Sequence, residues 1–172
     1  MIIFLTGFMG SGKSHIGREL APLMGFEHID LDRWLEEQEG CSVKNIFEEK
    51  GEHYFRELER KFLEALDKER NLVISTGGGA PCFFNNMEIM NQKGLTVYLN
   101  RSKASNMEQL LKGQHRRPHL SGMSEEAVSK FYDEKMESRK SYYEQGKIKA
   151  GDADAEEIHI IIKEYLSLQT IQ

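Results

Sequence analysis

The sequence is poor in the residues that mark disulfide-stabilised, zinc-binding or membrane-spanning proteins. It contains two cysteines, Cys41 and Cys82, and three prolines in 172 residues. Because the cysteines form no C-x-x-C pair, we expect neither a disulfide framework nor a zinc site, and we expect a cytoplasmic location. No apolar run approaches the roughly 20 residues of a membrane-spanning helix. The run from Ile2 to Leu5 is too short for a signal peptide and has no basic segment before it, so we expect no membrane association.

Basic residues are not in excess either. The chain has 23 Lys and Arg against 28 Asp and Glu, which gives a formal net charge of −5. This balance argues against nucleic acid as a partner, although a local basic pocket for a small anion remains possible. The length fits one domain over 1–172, with no repeat of 20–50 residues and no flexible linker. No heptad pattern or large unused apolar helix face is present, so we expect a monomer.

Short apolar runs alternate with longer amphipathic segments along the chain. The runs predict strands at Ile2–Thr6, Leu72–Thr76 and Leu95–Leu99, with weaker candidates at Glu27–Ile29 and Lys147–Ala150. Amphipathic patterns predict helices over Lys13–Met24, Gly51–Lys68, Phe83–Gln92, Ser124–Gln145 and Asp154–Leu168. Strands that alternate with helices favour an α/β fold, in which helices cover both faces of a parallel sheet.

The strongest motif is the glycine-rich segment Gly7–Ser14, which reads GFMGSGKS and matches G-x-x-x-x-G-K-[ST]. Its glycines, among them Gly10 and Gly12, let successive backbone N–H groups point at one phosphate chain. Lys13 supplies a positive charge for the β- and γ-phosphates, and the Ser14 hydroxyl can bind Mg²⁺. The motif lies between a predicted strand and a predicted helix, as a nucleotide-binding loop requires. It predicts nucleotide binding but leaves the reaction open.

One polar stretch does not fit the alternating pattern. Between Leu111 and Ser124 the chain reads KGQHRRPHLSGM. This stretch is either a plain surface loop or a mobile lid that keeps water from a transferring phosphate. The residues alone do not separate these two interpretations.

Four further motifs follow the glycine-rich segment in order: Asp30-Leu31-Asp32, Phe55-Arg56-Glu57-Leu58-Glu59, Gly77-Gly78-Gly79 and Arg116-Arg117-Pro118. Together with that segment they resemble the shikimate kinases along nearly the whole chain. The resemblance implies a three-layer α/β/α P-loop kinase fold with a five-stranded parallel sheet. It also implies a lid over approximately 112–124 and a substrate-binding helical segment over approximately 32–60. The implied reaction is ATP plus shikimate to ADP plus shikimate 3-phosphate, a step of chorismate and aromatic amino acid biosynthesis.

The resemblance assigns catalytic roles to Asp32, Lys13 and Arg117. Asp32 orients the acceptor hydroxyl and takes its proton, whereas Arg117 reaches the transferring phosphoryl group when the lid closes. Asp30 and Ser14 are the implied Mg²⁺ residues. The alternative for Asp32 is an N-cap of a helix that begins near Arg33, and Arg117 could be an ordinary loop arginine.

The resemblance also assigns nucleotide contacts to Gly10, Ser11, Gly12, Lys13, Ser14, His15 and Arg117, and shikimate contacts to Asp32, Arg56, Gly77, Gly78, Gly79 and Arg139. The two additional arginines, Arg56 and Arg139, would bind the substrate carboxylate. Simpler interpretations exist for each: Arg56 could be a solvated partner of Glu52 or Glu59, Arg139 a surface charge, and the glycines a flexible turn.

Two positions depart from the family pattern. His15 stands where threonine is usual, and His119 changes the lid sequence to Arg117-Pro118-His119-Leu120. Two other functions stay open at this point: a gluconate or nucleoside-monophosphate kinase of the same fold, and a nucleotide-binding regulator without phosphoryl transfer.

Overall fold

The structure is a computed structural model that describes residues 1–114 and 120–170. Five parallel strands form one sheet in the order β2-β3-β1-β4-β5. The strands are β1 Ile2–Thr6, β2 Glu27–Asp30, β3 Leu72–Ser75, β4 Leu95–Tyr98 and β5 Ile148–Lys149. The predicted five-stranded parallel sheet is confirmed, including the two strands with weak sequence signals.

Seven α-helices pack around this sheet in the described part of the chain. They are α1 Lys13–Met24, α2 Leu31–Glu39, α3 Val43–Ala65, α4 Asn86–Lys93, α5 Lys103–Lys112, α6 Glu125–Tyr143 and α7 Ala155–Thr170. One hydrophobic cluster joins the sheet to α1 and α7, and a second joins its other face to α2, α3 and α4. This gives the predicted three layers. Among the helices of these residues, none has the length and apolar character that crossing a bilayer demands.

The central strand β1 sets the position of the functional edge. All five of its residues are completely buried, and the first four side chains alternate between the two hydrophobic clusters. In a parallel sheet the carboxyl ends of all strands lie at one edge, which is where ligands of open α/β folds bind. The loops that follow the neighbouring strands β2, β3 and β1 therefore lie side by side at this edge.

The structure contains helices that periodicity alone did not predict. Helix α2 and helix α5 are short, and each buries only two side chains: Leu31 and Leu35 in α2, and Asn106 and Leu110 in α5. Helix α3 begins at Val43 rather than at the predicted Gly51. Gly51 is instead a kink inside it, with φ 82° and ψ 165°, a conformation that favours glycine.

Candidate active site

The glycine-rich loop joins β1 to α1 through residues with left-handed backbone. Gly7, Gly10 and Gly12 have φ angles of 139°, 83° and 88°. A Cβ on Gly7 would also lie 3.0 Å from the carbonyl oxygen of Leu99, so this position requires glycine for space as well as for conformation. The helix that follows begins at Lys13, and its N-terminal amides face the loop. The predicted phosphate cradle is thus built as the sequence indicates.

Lys13 is buried against this loop, with 8% of its surface exposed. Its Nζ donates hydrogen bonds to the carbonyl oxygens of Gly7, at 2.9 Å, and Phe8, at 2.8 Å. The ammonium group is therefore held at the loop that is predicted to bind phosphate. His15 is placed differently: its side chain is exposed and lies 3.4 Å from Glu19.

The two aspartates after β2 have different local environments. The Asp30 side chain caps helix α2, since its Oδ1 accepts a hydrogen bond of 3.3 Å from the backbone N–H of Arg33. The alternative in which Asp32 is the N-cap is therefore wrong, because the helix begins at Leu31, two residues earlier than the sequence suggested. Asp32 lies in the first turn of α2. Its Oδ1 is buried and has no hydrogen-bond partner among the described residues.

The surroundings of Asp32 join the nucleotide side to the acceptor side. Burial raises the pKa of Asp32 to about 6, and Asp30 adds to this rise, whereas Lys13 and Arg56 oppose it. Lys13 and Arg56 thus act electrostatically on Asp32, and the sequence assigned all three residues to catalysis or substrate binding. A buried carboxylate oxygen without a partner is costly, and such atoms concentrate where a ligand supplies the missing hydrogen bond.

Arg56 is not the solvated arginine of the simpler interpretation. Only 7% of its surface is exposed. Nη1 donates to Oε2 of Glu59 at 2.7 Å, and Nη2 donates to Oε1 of Glu52 at 3.0 Å. The ring of Phe83 lies 4.3 Å from the guanidinium carbon. This packing fixes the direction of the guanidinium group, as recognition of a planar carboxylate requires.

Glu59 is a residue whose importance the sequence did not reveal. It is completely buried, and burial raises its pKa to about 7 while Arg56 opposes the rise. One of its oxygens pairs with Arg56, and the other, Oε1, has no hydrogen-bond partner among the described residues. Its i,i+3 spacing from Arg56 was the available signal, but the same spacing occurs in many exposed pairs.

The three glycines after β3 are required by close approach, not by flexibility. A Cβ on Gly77 would lie 2.7 Å from Oδ1 of Asp32 and 2.9 Å from Oε1 of Glu59. A Cβ on Gly79 would lie 2.6 Å from Nη2 of Arg56. The segment is thus the surface against which the acceptor-side carboxylates and the guanidinium pack. Interpreting it as a plain flexible turn is therefore wrong.

Tyr143 ties the end of α6 to this glycine segment. Its hydroxyl donates a hydrogen bond of 2.5 Å to the carbonyl oxygen of Gly78, and its ring is fully buried. Arg139, one turn earlier on α6, lies near this hydroxyl and opposes the burial that raises the pKa of Tyr143. Arg139 also acts on the thiol of Cys82, whose pKa burial raises to about 11. The second predicted carboxylate-binding arginine thus lies beside the glycine segment, as the acceptor site needs.

The central residues of the predicted lid lie outside the described part of the chain. These are residues 115–119, which include Arg116, Arg117, Pro118 and His119. The flanking residues are described, and the Gln114 side chain donates hydrogen bonds to the carbonyl oxygens of Leu120, at 2.6 Å, and Met123, at 2.7 Å. The two ends of the predicted lid are thus joined at its base.

The donor set at the loop is compatible with Mg²⁺. The described residues contain no group of three or more metal-binding side chains. Mg²⁺ seldom needs one, because it binds nucleotide phosphates and waters and takes one or two oxygens from the protein. The Ser14 hydroxyl, in the first turn of α1, and the Asp30 carboxylate, at the end of β2, are oxygen donors of this kind.

Comparisons with known proteins identify the family of the chain. A family model described as "Shikimate kinase" matches residues 9–169. The shikimate kinase of Parabacteroides distasonis is 45% identical over 146 residues, which are 85% of this chain and 84% of that protein. The crystal structure of shikimate kinase from Bacteroides thetaiotaomicron has a TM-score of 0.89 at 38% identity and covers 97% of this chain and 98% of its own.

A second solved structure is a shikimate kinase from Acinetobacter baumannii in complex with shikimate. It has a TM-score of 0.81 at 29% identity and covers 98% of this chain and 92% of its own. The resemblance that five short motifs indicated is therefore confirmed over nearly the full length. The chain belongs to the shikimate kinase family.

Proposed function

We propose that this protein transfers the γ-phosphate of ATP to the 3-hydroxyl of shikimate and releases ADP and shikimate 3-phosphate. The observation that carries the proposal is that Oδ1 of Asp32 has no hydrogen-bond partner within residues 1–114 and 120–170. It is buried against Gly77, and Lys13 and Arg56 both act on its charge. An acceptor hydroxyl between the phosphate loop and the glycine segment would supply the missing hydrogen bond. A protein that only binds nucleotide has no use for this carboxylate.

The phosphate loop holds the triphosphate by its backbone N–H groups. Lys13 lies at the loop and supplies the positive charge that the β- and γ-phosphates need during transfer. Ser14 and Asp30 are the residues that would hold Mg²⁺. The bound ion neutralises charge on the β- and γ-phosphates.

Asp32 acts on the acceptor hydroxyl. It accepts the hydrogen bond of the 3-hydroxyl, which aims the oxygen at the γ-phosphorus. As the new O–P bond forms, the bond from the γ-phosphorus to the bridging oxygen of ADP breaks, and the hydroxyl proton passes to Asp32. Arg117, on the predicted lid, would stabilise the charge on the equatorial oxygens of the phosphoryl group.

Arg56 and Arg139 bind the carboxylate of shikimate. Two arginines on one carboxylate also explain how a chain of net charge −5 binds an anionic substrate. Backbone groups of Gly77–Gly79 donate hydrogen bonds to the shikimate hydroxyls beside Asp32, which packs against Gly77. We further propose that the active species is a cytoplasmic monomer.

A coupled assay for ADP release, with and without shikimate, tests this function. We expect release to depend on shikimate, and phosphorus NMR of the product to show one phosphate on the 3-hydroxyl. Gluconate and nucleoside monophosphates serve as alternative acceptors in the same assay. Faster ADP release with gluconate or a nucleoside monophosphate would show that shikimate is not the substrate.

A further inference from the structure

Arg101 is an arginine with little exposed surface at the carboxyl ends of the strands, away from the acceptor side. Arg101 follows β4, and only 14% of its side chain is exposed. Its Nε donates a hydrogen bond of 3.3 Å to the carbonyl oxygen of Ser11 in the phosphate loop. Its Nη1 lies 3.8 Å from Oδ1 of Asp152, in the loop that follows β5. Arg101 therefore bridges the phosphate loop and the β5–α7 loop.

The strand order indicates what occupies the space beside Arg101. The acceptor-side residues follow β2 and β3, on one side of β1, and Arg101 follows β4 on the other side. In phosphoryl transfer the attacking and leaving oxygens are roughly in line through the phosphorus. A nucleotide whose γ-phosphate faces Asp32 must therefore extend its nucleoside toward the ends of β4 and β5.

The loops at those two ends are held together. The backbone N–H of Gly151 donates a hydrogen bond of 2.6 Å to Oδ1 of Asn100, the residue before Arg101. The guanidinium is thus anchored on the Ser11 carbonyl at one end and faces a carboxylate at the other. A planar cation restrained in this way presents a face suited to an aromatic base.

We propose that Arg101 is a nucleotide-binding residue whose guanidinium contacts the nucleoside end of ATP and ADP. The inference rests on the proposed function, because it requires a nucleotide in the phosphate loop. It also gives the acidic segment Gly151–Asp154 a purpose. Asp152 restrains Arg101, and Arg101 in turn offsets a negative charge that would otherwise repel the nucleotide.

Calorimetric titrations with ADP and with inorganic tripolyphosphate, both with Mg²⁺, test this role. Tripolyphosphate occupies the loop but has no nucleoside. For Arg101→Gln we expect ADP to bind roughly 5- to 30-fold more weakly, the range for loss of a desolvated cation–π contact. Tripolyphosphate affinity should stay within about twofold of wild type, because the phosphate contacts remain.

Two more variants sharpen the result. Arg101→Lys keeps the charge without the planar group, and we expect its ADP affinity to remain at least about threefold below wild type. Arg70→Gln is the matched control. Arg70 pairs with Glu27 at 2.7 Å, at the edge of the sheet where the strands begin. Its loss should change neither the ADP affinity nor the tripolyphosphate affinity.

Three results would overturn the inference. Equal weakening of both ligands in Arg101→Gln would make Arg101 only a support for the phosphate loop. Unchanged ADP binding would make it a surface arginine, and full recovery in Arg101→Lys would reduce its role to charge. The titrations contain no shikimate, so their results do not depend on whether shikimate is the correct acceptor. The tripolyphosphate titration also shows whether the phosphate loop of each variant is folded.

Discussion

Asp32 is the residue at which function and stability conflict most clearly. Its pKa in the folded protein, about 6, lies above the usual value of 3.8 for an aspartate. The folded state therefore binds this proton more tightly than the unfolded state does. The contribution of Asp32 to the free energy of unfolding is consequently highest below pH 4 and declines as the pH rises through 6.

We predict that Asp32→Asn is more stable than wild type at pH 7.5, by about 1 to 3 kcal/mol, because it removes a buried charge. The gain should shrink toward pH 4, where Asp32 is protonated in the folded state and the variant no longer removes a buried charge. Urea denaturation at the two pH values measures this difference. A variant that is less stable than wild type at pH 7.5 would show that interactions in the free enzyme offset the cost of burying the ionised carboxylate.

The same pKa predicts the acidic limb of the rate profile. Asp32 accepts a proton only when ionised, so kcat/KM for shikimate should fall about tenfold per pH unit below roughly 6. Initial rates at saturating ATP between pH 5 and 8 give this profile. A flat profile across this range would remove Asp32 as the group that must be ionised.

Arg56 and Glu59 must be tested as a pair. Arg56→Ala leaves Glu59 completely buried without its cation, so we expect a loss of about 3 to 5 kcal/mol in stability together with a higher KM for shikimate. Arg56→Met/Glu59→Gln should recover part of the stability but not the KM. Recovery of both would mean that Arg56 only supports the fold.

Arg60→Ala is the control for this pair. Arg60 lies on the same helix and pairs with Glu64 at 2.8 Å, but both side chains are more than 40% exposed. We expect its loss to change the free energy of unfolding by less than about 0.5 kcal/mol. The difference in stability loss between Arg56→Ala and Arg60→Ala shows how much of the effect comes from burial of the ion pair.

For single residues, the sequence predicts roles that come from a contiguous motif, but it does not predict which side chains are buried. The proposed roles of Lys13 and Ser14 come from one contiguous motif, which can be read directly from the sequence. Glu59 becomes important because α3 packs against the glycine segment, and that contact is set by the tertiary fold. The same limit applies to Arg101, whose partners Ser11 and Asp152 lie 90 and 51 positions away in the sequence.

The glycine segment after β3 is the element on which the acceptor side is assembled. It contacts Asp32 and Glu59 at Gly77, Arg56 at Gly79, and Tyr143 at Gly78. Helices α2, α3 and α6 therefore all meet it. An added side chain at this element should disturb several functional groups at once.

We predict that Gly77→Ala lowers kcat/KM for shikimate by about 10- to 100-fold, because its methyl group displaces both carboxylates. ADP affinity should be nearly unchanged. Gly25→Ala is the control, since Gly25 has φ 68° and no atom within 4 Å of an added Cβ. It should lose about 1 kcal/mol of stability without a kinetic effect. Normal kinetics in Gly77→Ala would show that the carboxylates can move without cost.

Element prediction succeeded where the hydrophobic pattern was long. Helix α1 has the predicted bounds, because its buried face repeats over three turns between two glycines. Helix α5 was missed, since a ten-residue helix with two buried residues gives almost no periodic signal. The sequence pattern predicts a helix start at Gly51. This glycine is a kink instead, because packing of both halves of α3 outweighs its low helix propensity.

At the scale of the whole molecule, the strand order separates two chemistries. The acceptor residues gather at the ends of β2 and β3, the phosphate loop at the end of β1, and Arg101 at the end of β4. Parallel strands were predictable from the alternation of strands and helices. Their order was not, because periodicity contains no information on which strands become neighbours.

The most direct test of this account compares the rate of phosphoryl transfer in wild type and Asp32→Asn under saturating ATP and shikimate. We predict that the variant is slower by about 10² to 10⁴, the usual loss when a general base is removed. Its affinity for ADP, measured by titration, should stay within about threefold of wild type. A variant that transfers phosphate within tenfold of the wild-type rate would contradict the central claim that Asp32 activates the acceptor hydroxyl.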